Sequence, residues 1–188
     1  MEKAWAYKDH GKSWDAVYER DHPPGFRWLH ESFGTNWRLT EMQSAIGRVQ
    51  LRKLDDWVTK RRANAARLLK CCNALPCLRT PEPPQDFFHA YYKFFTFLRP
   101  DRLKPEWTRD RIMQAINERG VPCYAGFCPD ISQEKAFTTK NLGPAKHLPV
   151  AHELGRTSLM LLTHPTLSGS EIDRTCEVVT QICREAQS

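Results

Sequence analysis

Long apolar runs are missing from this sequence: none approaches the ~20 residues that a membrane-spanning helix needs. A membrane span is therefore not expected. The N-terminal stretch Met-Glu-Lys-Ala-Trp-Ala-Tyr-Lys-Asp-His-Gly also lacks the apolar core of a secretory signal, so a cytoplasmic location is expected. There is no C-x-x-C pair and no H-E-x-x-H, which leaves a zinc site without ligands at usable spacing, and no metal is expected. A glycine-rich phosphate loop and a Ser-His-Asp set with an elbow motif are absent as well. Spacing identifies no general acid–base pair. Internal repeats and low-complexity tracts are lacking too.

What is present describes a soluble α+β chain of 188 residues, long enough to bury a core, with 40% apolar and 27% charged residues. Seven cysteines, at positions 71, 72, 77, 123, 128, 176 and 183, fit a reducing compartment. Cys176 and Cys183 lie seven apart on one face of a predicted helix and read as buried small hydrophobes, not as metal ligands or disulfide partners. The net charge of +6 is uneven. Residues 1–74 hold 14 basic and 9 acidic groups, whereas 75–188 hold 14 and 13. The excess forms a stripe through Arg48, Arg52, Lys53, Lys60, Arg61, Arg62 and Arg67 that is capable of tracking phosphates. Asp55 and Asp56 interrupt it, and a solvated helix face is the simpler account, so nucleic acid is not an expected partner.

Residues 1–38 form an aromatic-rich arm with four of the six tryptophans, Phe26, Phe33 and the turn His22-Pro23-Pro24-Gly25. Such a surface expects cover. From Glu41 to about Ala74 apolar residues recur at three- and four-residue steps, which predicts one long connector helix capped by Thr40 and Gln43. "HAYYKFFTFLR" (89–99), "VPCYAG" (121–126) and "TSLMLL" (157–162) predict strands. Helices are predicted from Thr108 to Arg119, from Pro149 to Gly155, and after the Ser168/Glu171 capping box. This order predicts a small, mainly antiparallel sheet with helices on one face.

Candidate site residues are few. In "GTNWRLT", Asn36 and Arg38 bring an amide and a guanidinium to a loop that leads into a helix N-terminus, a combination suited to a phosphate or carboxylate. Equally, Asn36 makes a turn and Arg38 an ion pair. His164 stands where a strand gives way to a capped helix, and reads as a site residue or as a turn histidine before proline. Tyr124 and Cys128 flank Gly126 in a loop able to line a pocket, and Glu134 with Lys135 is a further contact or a solvated pair.

"HGKS" (10–13) followed by "GTNWRLTEMQSAIGRVQLRKLDDW" (34–57) resembles the DegT/DnrJ/StrS family of pyridoxal-phosphate-dependent sugar aminotransferases. Gly34, Asn36, Arg38, Gln43, Ala45, Gly47, Gln50, Leu51 and Leu54 fall in register with that family's central block, and "LPVAHELGRTSLMLLTHPTLSGSEI" resembles its C-terminal small domain. The resemblance implies the aspartate-aminotransferase architecture (fold type I) and a homodimer. It also implies amino transfer, usually from glutamate, to a keto group on a nucleotide-linked sugar for surface polysaccharide, lipopolysaccharide or antibiotic synthesis. It places Asn36, with Arg38 in the same loop, at the cofactor phosphate of the neighbouring subunit. In place of the family's usual substrate-facing residues the 123–134 loop offers Cys123, Tyr124, Cys128 and Glu134. The last three, with His164, are the candidate substrate contacts. On this reading residues 1–38 belong to the large cofactor-binding domain and 39–188 to the small domain. The family's Schiff-base lysine stands upstream of the segment matching His10-Gly11. Hence no catalytic residue is expected within this chain, pyridoxal phosphate is not expected to be bound by it alone, and transamination is not expected of it alone. The alternative is a non-catalytic interaction module that pairs with a full-length aminotransferase.

Overall fold

Three helix starts carry the caps that their sequences ask for. Thr40 Oγ1 accepts from the Gln43 N–H at 3.2 Å while Gln43 Oε1 accepts from the Thr40 N–H at 2.9 Å. Ser168 and Glu171 make the same reciprocal pair, at 3.3 and 2.7 Å. Thr108 Oγ1 accepts from the Arg111 N–H at 3.2 Å. Each cap satisfies a backbone donor that the first helical turn leaves without a partner.

The computed structural model describes residues 1–126, 130–144 and 148–188, so the predicted pocket residue Cys128 lies outside the described residues. The chain divides into two units, Met1–Lys53 and Leu54–Ser188. The first contains α1 (Glu2–Lys8), α2 (Trp14–Tyr18) and α3 (Glu41–Leu51). The second contains, in order, α4 (Leu54–Asn73), β1 (Leu78–Arg79), β2 (Phe94–Leu98), α5 (Arg109–Glu118), β3 (Cys123–Tyr124), α6 (Lys135–Thr138), α7 (Pro149–Thr157), β4 (Ser158–Leu161) and α8 (Gly169–Ala186).

The single helix predicted over 41–74 is two helices, parted at Arg52 and Lys53. The Lys53 N–H turns back to the Gln50 carbonyl at 3.0 Å, tightening the last turn of α3. Charge explains the position of the break. Arg48, Arg52 and Lys53 gather where the α3 carbonyls lose their partners, and Asp55 and Asp56 occupy the first turn of α4, the distribution that two successive helix dipoles favour. The division into two units falls at this break, and α3 is the last helix of the first unit.

All strand pairings in the second unit are antiparallel, in the order β1-β2-β4-β3. Register sets Leu78 opposite Leu98, Phe94 and Cys123 opposite Leu161, and Thr96 opposite Leu159. All of these but Thr96 join Leu68 and Cys72 of α4, Ile112 and Ile116 of α5, and Ile172, Val179, Ile182 and Cys183 of α8 in one buried apolar cluster. Alternation along β2, with Phe94, Thr96 and Leu98 buried and Phe95 and Phe97 partly exposed, is that of a sheet covered by helices on one face.

The predicted strands shorten where the backbone leaves the extended region. Tyr91 has φ +47°, with its N–H bonded to His89 Nδ1 at 3.1 Å, so the 89–99 strand begins only at Phe94. Gly126 (φ +98°) ends the 121–126 strand beside the Phe95 ring, 2.4 Å from where a Cβ would stand. Gly155, expected to end α7, is buried within it, and the helix runs on to Thr157, whose hydroxyl donates to the Glu153 carbonyl at 2.9 Å. Cys183 is fully buried as expected, whereas Cys176 is only half-buried.

Candidate functional site

In the first unit the "GTNWR" loop lies against the "DHG" turn, and two glycines set the closeness of approach. A Cβ on Gly11 (φ +81°) would meet the Ser32 carbonyl oxygen at 1.7 Å, and one on Gly34 would meet the Gly11 nitrogen at 2.5 Å and the Tyr7 oxygen at 2.6 Å. No other residue type fits backbone that close. The approach lets Asp9 and Asn36 form an antiparallel bridge, flanked by His10 N–H to Thr35 O at 3.0 Å and Trp37 N–H to Lys8 O at 2.9 Å.

That bridge fixes both candidate side chains. Asn36 Oδ1 accepts from the Arg38 N–H at 3.1 Å, an Asx turn that orients the loop. The Asn36 side chain is exposed, and among the described residues its Nδ2 amide has no protein partner. Arg38 reaches back to Asp9, donating from Nη2 to Oδ2, and Lys12 Nζ stands 3.7 Å from the other carboxylate oxygen. Asp9 is 2% exposed whereas Arg38 is 51% exposed. The hydrogen bond from Arg38 holds the Asp9 carboxyl below its ordinary value of 3.8, against the opposing effect of burial, and the Lys12 charge adds to the depression.

Chemically, then, the loop presents an uncommitted amide donor beside a guanidinium that is already neutralised. An anion placed at this loop would find its open donor at Asn36 Nδ2, while Arg38 is the strut between Asp9 and the loop. Sequence reasoning missed Asp9. The only available signal was a lone acid directly before His-Gly, and its pairing with a residue 29 positions away leaves no local pattern.

The other candidates are all in the second unit. Tyr124 is exposed on β3, opposite Met160 of β4. Glu134 is exposed at the start of α6, where its carbonyl accepts from the Phe137 and Thr138 N–H groups at 2.9 and 3.0 Å. His164 is exposed in the turn after β4; its Nδ1 is 2.7 Å from the Thr166 hydroxyl, and its carbonyl accepts from Asn64 Nδ2 at 3.3 Å. The structure thus joins Asn36 to Arg38 by a direct bond and distributes Tyr124, Glu134 and His164 over three separate elements. A cavity of about 690 Å³ between the starts of α5 and α7, lined by Trp107, Arg109, His152 and Arg156 among others, includes none of the predicted residues.

The model of the DegT/DnrJ/EryC1/StrS aminotransferase family matches residues 1–180. Among solved structures, an aminotransferase from Psychrobacter cryohalolentis is similar with a TM-score of 0.88 and 49% identity, over 98% of this chain and 49% of that one. The erythromycin biosynthesis sensory transduction protein EryC1 of Saccharopolyspora erythraea is 30% identical over 147 residues, 78% of this chain and 38% of the relative. A dTDP-3-amino-3,4,6-trideoxy-alpha-D-glucose transaminase of Streptomyces venezuelae is 28% identical over 155 residues, 82% of this chain and 38% of the relative. The chain thus spans about 38% of the length of these curated relatives. The architecture expected from the sequence, a small antiparallel sheet with helices as found in part of an aminotransferase, is the one present.

Proposed function

Since the chain belongs to the DegT/DnrJ/EryC1/StrS aminotransferase family, we propose that its residues are the C-terminal part of a pyridoxal-phosphate-dependent enzyme that moves an amino group, from glutamate, onto a keto group of a nucleotide-linked sugar. Nucleotide-linked sugars stand in the names of two relatives, the dTDP-3-amino-3,4,6-trideoxy-alpha-D-glucose transaminase and a GDP-perosamine synthase, and a third is named a spore coat polysaccharide biosynthesis protein. The observation that carries the reading is the Asn36 amide, held out by a backbone bridge and an Asx turn and, among the described residues, left without a protein partner.

When bound, the cofactor supplies an electron sink for moving the amino group. The residues of this chain fit only its phosphate end. Asn36 Nδ2 offers neutral donors to a phosphate, and Arg38 positions it by tying the loop to buried Asp9. The lysine that holds such a cofactor is activated by desolvation or a neighbouring cation. The family resemblance puts that lysine upstream of the segment matching His10-Gly11, so amino transfer is assigned to a protein that includes a further, lysine-bearing segment. The amide is offered to a second copy in a homodimer. Exposure of Phe26, Trp28, Phe33 and Trp37 in the same unit favours such cover. Tyr124, Glu134 and His164 are kept as contacts to the sugar nucleotide.

Two measurements test this. Treated with pyridoxal phosphate and borohydride, the 188-residue chain is expected to show scattered, substoichiometric lysine labelling; one lysine labelled to completion overturns the assignment. The chain is also mixed with a full-length family aminotransferase whose own amide at this loop has been replaced. Amino transfer to a keto-sugar nucleotide is expected to return with the wild-type chain and to be about tenfold or more weaker with Asn36→Ala, because a lost hydrogen bond to a charged group costs about 1.5–3 kcal/mol. Equal recovery with both chains, or none with either, removes the role given to Asn36.

A further inference from the structure

The cysteines of the second unit are not all inert core. Cys71 on α4 and Cys176 on α8 face each other where the two helices pack. The Cys71 thiol donates to the Cys176 carbonyl at 3.5 Å and lies 3.4 Å from the hydroxyl of Thr180, one turn further along α8. In return the Cys176 thiol donates to the carbonyl of Arg67, one turn before Cys71, at 3.9 Å. Both side chains are half-buried, so a small oxidant can reach them. A second pair gives an internal contrast: the Cys77 thiol donates to the Cys183 carbonyl at 3.9 Å, but both of these residues are fully buried.

We propose that Cys71 and Cys176 are a redox-modification site, a thiol pair that hydrogen peroxide closes into a disulfide between α4 and α8. In the first step the Cys71 sulfur attacks one peroxide oxygen. The O–O bond breaks, water leaves, and Cys71 becomes a sulfenic acid. In the second, the Cys176 sulfur attacks the Cys71 sulfur. The S–O bond breaks, the S–S bond forms, and a second water carries away the oxygen with the Cys176 proton. Two thiols are oxidised and one peroxide is reduced to two waters. Cys71 suits the first step. Its pairing with Cys176, helped by Cys72 and opposed by burial, holds it below the ordinary thiol value, whereas Cys176 is pushed up by the same pairing. The bond would join residues 105 positions apart, so it clamps α4, the first helix of this unit, to α8, the last. In a reducing compartment such a bond is transient, which is the behaviour of a sensor and not of a structural brace.

The test is peroxide treatment of the full chain followed by non-reducing digestion. The fragments Cys71–Arg79 and Thr175–Arg184 are expected to appear as one linked species lighter by two hydrogen atoms and separated by dithiothreitol, and the oxidised chain is expected to unfold at a higher temperature. Trypsin leaves Cys72 and Cys77 in the first fragment and Cys183 in the second, so the sulfurs are assigned by fragmentation of the linked species. Cys71→Ser and Cys176→Ser should each abolish the link, and Cys77→Ser should preserve it. Because fragmentation uses the unaltered chain, the assignment stands even where a variant folds poorly. Absence of the link, a link through Cys77 and Cys183, a link between two chains, or Cys71 oxidised to a sulfinic acid beside a free Cys176 overturns the proposal.

Discussion

The two units are held by different forces. In Leu54–Ser188 apolar side chains from α4, α5, α8 and the four strands are buried together, with Leu68, Ile112, Ile182 and Val178 fully out of solvent. In Met1–Lys53 the buried side chains are Ala16 and Asp9. Its aromatic rings meet edge to face while staying largely exposed, as with Tyr7 and Trp37 at 5.4 Å. α3 buries nothing, and Met42 and Ile46 are 77% and 62% exposed. Shape in the first unit comes from backbone pairing at two glycines and from ion pairs, chief among them Arg38 with buried Asp9. Shape in the second comes from burial.

This contrast can be broken from either side. The largest effect is expected in the core: Leu68→Ala removes a fully buried side chain and should destabilise the second unit by about 2–5 kcal/mol. Denaturant unfolding followed at Trp107 reads it, and amide exchange in residues 6–37 should stay unchanged. Loss of protection in the arm as well would mean that the two units unfold together.

Next comes Gly11→Ala. The new Cβ meets backbone at 1.7 Å in a left-handed conformation, so a cost of at least about 1–3 kcal/mol falls on the first unit alone. The amides of His10, Ser32 and Thr35 should exchange freely while the sheet amides stay protected. A chain whose arm keeps its protection would show that the glycines are not what shapes it.

The smallest effect, and the sharpest, concerns pH. The stability that Asp9 contributes is complete above its unfolded value near 3.8 and is lost as pH falls through its lower folded value. Arg38→Ala removes the main cause of that depression and leaves the burial. The folded value should then rise and the arm should loosen at higher pH than in the wild type, with about 1–2 kcal/mol lost at neutral pH. Titration of the Asp9 carboxyl by NMR in both chains checks the direction. An unchanged midpoint would mean that Arg38 does not hold Asp9 in solution.

Legibility in the sequence follows the same division. The second unit was readable because its signals are local. Thr108, Ser168 with Glu171, and the periodic apolar face of α8 sit where capping and burial put them. Errors arose where a single residue overrides the pattern, as Tyr91 does by turning out of the extended region. The break at Arg52 and Lys53 leaves no mark in the apolar period, although the change from Arg48, Arg52 and Lys53 to Asp55 and Asp56 records it in charge. In the first unit Asn36 and Arg38 stood out as residue types in a loop, but their bonds did not. The Asp9–Arg38 pair spans 29 positions and depends on how near Gly11 and Gly34 let two strands come, a distance that composition and period do not encode. The substrate candidates Tyr124, Glu134 and His164 stand out in the sequence only by their place in a loop or at a strand end, and place alone does not say what faces them.

The order β1-β2-β4-β3 places a two-residue strand at each border of the sheet. Runaway growth of cross-strand ladders needs a long, flat border on which the next chain can register, and two residues give it almost nothing to grip. The colloidal behaviour of a concentrated solution should be set accordingly. Clustering through the bare indole and phenyl rings of the arm would be reversible and dispersed by mild detergent, and fibrils would not be its end point.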